Sequence, residues 1–117
     1  MSQHKHLSPA EEKAIETFVQ QLMDELESEV KDIRMFGSKA RGDAGPESDL
    51  DVLVLVQDSA YALKHRILWI ASEISLNFGI LLSPRVVPSA AWNEVAEAET
   101  LFFRTIRAES IPLLNAA

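Results

Sequence analysis

The sequence predicts an α/β chain of the α+β kind, a small mixed β-sheet of three or more strands flanked by helices. Three observations carry that expectation. Residues 33–56 alternate strand, polar loop and strand, with a Gly-Ser corner after the first strand and two aspartates at the head of the second. A strongly amphipathic stretch precedes them. A long apolar helical stretch follows and leads to another β-like run, Ile80 to Val87. Short apolar runs separated by stretches of helical periodicity are the pattern of a sheet covered by helices.

The first helix is expected to open at Ser8-Pro9-Ala10-Glu11, a capping box with proline at the first helical position. Ile15, Phe18, Val19, Leu22, Met23, Leu26 and Val30 recur at the three-and-four spacing of one buried face, with acids on the other. A strand follows from about Asp32 to Phe36. The loop from Ser38 to Ser48 contains Arg41-Gly42-Asp43, an adhesion tripeptide only by coincidence, and Gly45-Pro46, which is turn chemistry. It is no P-loop, because Asp43 stands after Gly42 where that motif needs lysine. The next strand, Leu50 to Val56, loses its alternation after Asp51, which implies burial on both faces in mid-sheet.

Ser59 is expected to cap a long helix to about Asn77, ended by Gly79. Leu63, Ile67, Ile70, Ala71 and Ile74 form its core stripe, while Trp69 and Leu76 lie nearly opposite. A helix apolar nearly all round is either enclosed or covered by another chain, which makes Trp69 and Leu76 candidate interface residues. Lys64, His65 and Arg66 are consecutive and fan around it without forming one patch. Pro84 marks the third strand as an edge or irregular one. Ser89 can cap a short helix through about Ala96, and Leu101 to Ile106 forms a last helix that closes the core. Trp92, Phe102 and Phe103 are core or interface residues rather than a base-stacking platform.

Length and composition bound the function. The 117 residues suit a single domain, 1–117, with 1–7 a flexible tail. With no cysteine, disulfides, zinc-thiolate sites and thiol catalysis are excluded. His4 and His6 belong to the tail and make a weak metal site. No apolar leader or membrane span is visible, so a cytoplasmic protein without membrane contact is expected. The net charge is −7, and residues 9–32 hold eight acids against two lysines. An acidic chain without a basic stripe argues against tight, non-specific nucleic-acid binding.

The candidate site is the corner and the acid pair. Asp49 and Asp51 are two residues apart, so in an extended chain they point to one face. Paired carboxylates at the mouth of a buried strand are costly, and a divalent cation relieves that cost; hard oxygen ligands suit Mg²⁺ or Mn²⁺. Gly37 permits a sharp turn and close ligand approach. Ser38 offers a hydroxyl and a backbone N–H at the start of a short helix, a place suited to phosphate.

Gly37-Ser38, followed after ten residues by Asp49-Leu50-Asp51, with Arg41-Gly42 between and Ser48 just before the first acid, resembles the signature of the polymerase-β-like nucleotidyltransferase superfamily. The small size resembles its minimal, MNT-type branch, often paired with HEPN-domain partners. The match is tight over residues 33–56 and looser elsewhere, though the order of elements fits. The resemblance implies a nucleoside triphosphate, ATP, as substrate. Asp49 and Asp51 would hold the metal. Gly37, Ser38, Arg41 and Ser48 would bind nucleotide phosphates, and AMP would pass to a hydroxyl on a partner protein or small substrate. It also implies a third carboxylate on a later strand, yet residues 79–87 contain none, and Ser83 or Arg85 takes that place. Either one metal suffices, a partner chain supplies an acid, or catalysis has decayed and the chain is a degenerate antitoxin that neutralises a HEPN-type partner by contact; the expected partner is a HEPN-type protein or a further copy in a homo-oligomer.

Overall fold

A computed structural model of the chain describes residues 7–42, 49–57 and 61–114. Nine elements follow one another: α1 (Pro9–Leu26), β1 (Val30–Phe36), α2 (Ser38–Arg41), β2 (Leu50–Val56), α3 (Tyr61–Phe78), β3 (Leu82–Pro88), α4 (Ser89–Glu97), α5 (Leu101–Glu109) and β4 (Ile111–Pro112). The strands form a mixed sheet in the order β3-β2-β1-β4. β2 pairs antiparallel with β1 and parallel with β3, and β4 pairs antiparallel with β1. β2 is therefore interior, and Val52, Leu53 and Val54 are buried, as its unbroken apolar run requires. β3 lies at an edge, where Pro84 costs no ladder bond.

α1 and α3 pack on each other and cover one face of the sheet. The capping box forms as expected: Ser8 Oγ accepts from the Glu11 N–H, and the Ser8 N–H donates to Glu11 Oε1 at 2.8 Å. Leu63, Ile67, Ile70, Ala71 and Ile74 are all buried against Phe18, Leu22, Ile33 and Val54. On the far side of α3, Trp69 and Leu76 are 57% and 85% exposed. α4 and α5 lie on the opposite face of the sheet, where Leu53 and Ile106 are buried apart from the main core.

Several boundaries differ from expectation. Val30 is the first residue of β1, opposite Val56, and not the end of the α1 stripe. The third strand begins at Leu82, because Gly79 at φ +66° and Ile80 still belong to the helix exit. Ser89 does not cap α4; Pro88 holds that position, and Ser89 Oγ instead donates to the Val56 carbonyl at 3.0 Å. The last helix runs on to Glu109 from a Thr100 cap. β4 was not foreseen. Leu7, assigned to the tail, packs half-buried against the core. Gly45-Pro46, Ser48, Ser59, His4 and His6 lie outside the described residues. Among the described residues no helix is long and apolar enough to cross a membrane.

A buried ion pair ties the outer helix to the corner. Lys39 Nζ on α2 lies 2.7 Å from Glu11 Oε2 at the head of α1. Burial works to raise the Glu11 carboxyl, but the Lys39 ammonium and the Ser8 N–H outweigh it and hold it below its ordinary value. Removing one member of a buried pair strands the other charge. Lys39→Met is accordingly expected to lower stability by about 3 kcal/mol in urea unfolding. Lys39→Met with Glu11→Gln, which preserves the capping geometry, should recover most of that loss. A double-variant loss equal to the sum of the two single losses would show that the pair is not coupled.

Candidate functional site: an acid pair against a glycine corner

Antiparallel pairing sets Phe36 opposite Asp51, so the chain leaving β1 must turn directly over that aspartate. Gly37 makes the turn at φ +79° and ψ −162°, a region essentially closed to side chains. The space is closed as well. A Cβ on Gly37 would overlap Asp51 Oδ2 and sit 3.2 Å from the carboxyl carbon. Glycine is needed here for both reasons. Ser38 then opens α2, where the Ala40 and Arg41 N–H groups donate to the Gly37 carbonyl, and Gly42 closes it at φ +85°.

Asp49 stands just before β2 and Asp51 within it, both half-buried. Burial and the neighbouring Asp49 charge push the Asp51 carboxyl above its ordinary value, against the opposing charges of Arg85 and Arg41. Gly37, Asp49 and Arg41 are thus brought together around the Asp51 carboxyl. Arg41 is exposed, with Nη1 3.9 Å from Glu109 Oε2 on α5. Trp69 and Leu76 are on the far side of α3 and take no part in this cluster.

Arg85 is the cation that the corner motif does not contain. The parallel register pairs Asp51 with Ser83 and Leu53 with Arg85, so both β3 side chains project to the aspartate's face. The Arg85 guanidinium lies over the Phe102 ring, 4.9 Å from its centroid, and Phe102 packs edge-on to Phe36 at 5.8 Å. Trp92, Phe102 and Phe103 form one aromatic cluster, consistent with packing rather than an open platform. Lys64 of α3 joins Arg85, Trp92 and Phe102 around a cleft of about 480 Å³. Lys39 was overlooked in the sequence, and Phe102 was read as core or interface without its Arg85 contact, since no local spacing signals their partners.

Among the described residues, no three His, Cys, Asp or Glu side chains gather as a metal-binding group. Two carboxylates, one of them raised by burial and by its neighbour's charge, nevertheless fit a hard divalent cation, which commonly takes one or two carboxylates and completes its shell with phosphate and water.

Comparison with known proteins agrees with this geometry. A family model described as nucleotidyltransferase domain matches residues 15–100. Two relatives come from Methanocaldococcus jannaschii. "Putative protein adenylyltransferase MJ0604" is 33% identical over 97 residues, 82% of each chain. "Putative protein adenylyltransferase MJ0141" is 41% identical over 71 residues, 60% of this chain and 72% of the relative. A solved toxin-antitoxin structure with AMP-PNP shares the fold, with a TM-score of 0.57 at 17% identity over 87% of this chain and 73% of its own.

The raised Asp51 carboxyl has a measurable signature. The folded chain holds that proton to higher pH than the unfolded chain does. The resulting stability is fully present below the unfolded carboxylate pKa of about 4 and is lost as pH rises through the folded value. Without metal, Asp51→Asn is therefore expected to melt above wild type at neutral pH, with the margin closing as pH falls through that window. A margin independent of pH would assign the effect to packing.

Proposed function

Because the chain belongs to the nucleotidyltransferase domain family, we propose that it transfers AMP from ATP to a hydroxyl group on a partner protein. The observation that carries this reading is the Asp51 carboxylate seated against Gly37, with Asp49 and two arginine charges around it. The acceptor hydroxyl oxygen attacks the α-phosphorus and gives up its proton to water, the bond to the β-phosphate oxygen breaks, and pyrophosphate leaves. Asp49 and Asp51 would hold Mg²⁺ or Mn²⁺; the ion, when bound, neutralises phosphate charge and orients the phosphoryl oxygens. Gly37, Ser38, Arg41 and Ser48 are assigned to the triphosphate, where backbone N–H groups and a guanidinium suit anionic oxygens. Positioning and charge stabilisation supply most of the rate.

The relatives' names support adenylyl transfer, and the toxin-antitoxin structure supports a protein partner. We assign that partner to the HEPN type and its contact to the exposed side of α3 at Trp69 and Leu76. A second reading has its own observation. The described residues bring no third carboxylate to the acid pair, which favours an antitoxin that neutralises its partner by binding alone.

Incubation of the chain and its partner with Mg²⁺ and α-labelled ATP separates the two. Label is expected in the partner with wild type and should fall at least about 100-fold with Asp49→Asn/Asp51→Asn or with Gly37→Ala. Neutralisation that survives the double variant, with no label transferred by wild type, would establish the binding-only reading instead.

A further inference from the structure

We propose that Arg85 stands in for a second metal ion, so that the acid pair takes one divalent cation with the nucleotide and not two. This rests on the triphosphate reading above and specifies how that site is charged.

Phe36, Asp51 and Ser83 are register partners on β1, β2 and β3, and form one row of side chains across the sheet. Residues paired in this way project to the same face, as does Arg85 two positions beyond Ser83. β3 runs Leu-Ser-Pro-Arg-Val-Val-Pro from Leu82 to Pro88 and carries no acid. Of the two β3 positions nearest Asp51 on its face of the sheet, one therefore holds a hydroxyl and the other a guanidinium.

That guanidinium is held in place. It lies on Phe102, and Phe102 is fixed edge-on between Phe36 at 5.8 Å and Trp92 at 6.3 Å. Phe36 belongs to the same row as Asp51, so the chain of contacts from Arg85 through two aromatic rings closes back on the acid pair. Arg85 acts on the Asp51 carboxyl as a positive charge, in the sense opposite to Asp49.

The consequence follows from charge balance. Two carboxylates match the charge of one divalent cation, which completes its shell with phosphates and water. A second ion would need a further anionic ligand and would sit beside a side chain that does not deprotonate. Its charge and that of the guanidinium would repel one another across the same face of the sheet. The guanidinium fork is itself suited to phosphate oxygens, so the positive charge a second ion would bring is already built into the chain.

The test counts ions. Mn²⁺ is titrated into protein saturated with α,β-methylene-ATP, and free Mn²⁺ is read by electron paramagnetic resonance. Wild type is expected to bind one Mn²⁺ per protein–nucleotide complex. Arg85→Asp, which removes the charge and adds a carboxylate, is expected to bind two. Two ions on wild type would overturn this inference alone and leave nucleotidyl transfer standing, whatever the variant does. One ion on a folded, nucleotide-binding Arg85→Asp would overturn the role given to Arg85. Failure of wild type to bind the nucleotide at all would overturn the proposed function and this inference together.

Discussion

The closeness of the Gly37 backbone to the Asp51 carboxylate is the constraint from which the site follows. Pairing between β1 and β2 puts Phe36 opposite Asp51, so whatever follows Phe36 must pass over that carboxylate. No side chain fits there, and no side chain readily adopts the turn. The corner and the acid are consequently one object. A sequence change that moves either of them moves both, and α2 with its Ser38 and Arg41 is carried along.

Around this point the fold balances charge in two different ways. Lys39 and Glu11 are paired at 2.7 Å and nearly enclosed, which fixes the orientation of α2 relative to α1. Burial and the neighbouring Asp49 charge leave the Asp51 carboxyl raised, an effect that Arg85 and Arg41 only partly offset. The first arrangement holds the corner in place. The second leaves two carboxylates unfavourably close, a cost that a divalent cation would relieve. The acidic outer surface of α1 is unconnected with this, being occupied by local pairs such as Gln20 with Asp24 and Gln21 with Glu25.

Much of this was legible in the sequence where the signal was local. The five-residue stripe of α3 is buried in full, because helical periodicity needs no knowledge of the partner surface. β2 was bounded at both ends by an acid pair and by the end of its apolar run. The corner and Asp51 could be joined because one strand pairing brings them together. Contacts between distant segments left no trace. Lys39 and Glu11 are 28 positions apart in the sequence, and neither has a spacing that points to the other. Ser89 looked like a cap, yet its hydroxyl found the Val56 carbonyl instead. β4 is two residues long and ends in proline, too short for any alternation to show. Arg85 was visible as the residue in place of an acid, whereas its seat on Phe102 depends on α5 folding back over the sheet.

The most direct measurement of the central claim is a crystal of the chain grown with Mn²⁺ and α,β-methylene-ATP, read by anomalous scattering at the manganese edge. The anomalous peak should lie between the Asp49 and Asp51 carboxylates, with the triphosphate density against the Gly37-Ser38 backbone. Manganese and nucleotide found together elsewhere, for example in the cleft at Lys64 and Trp92 with the acid pair bare, would contradict it.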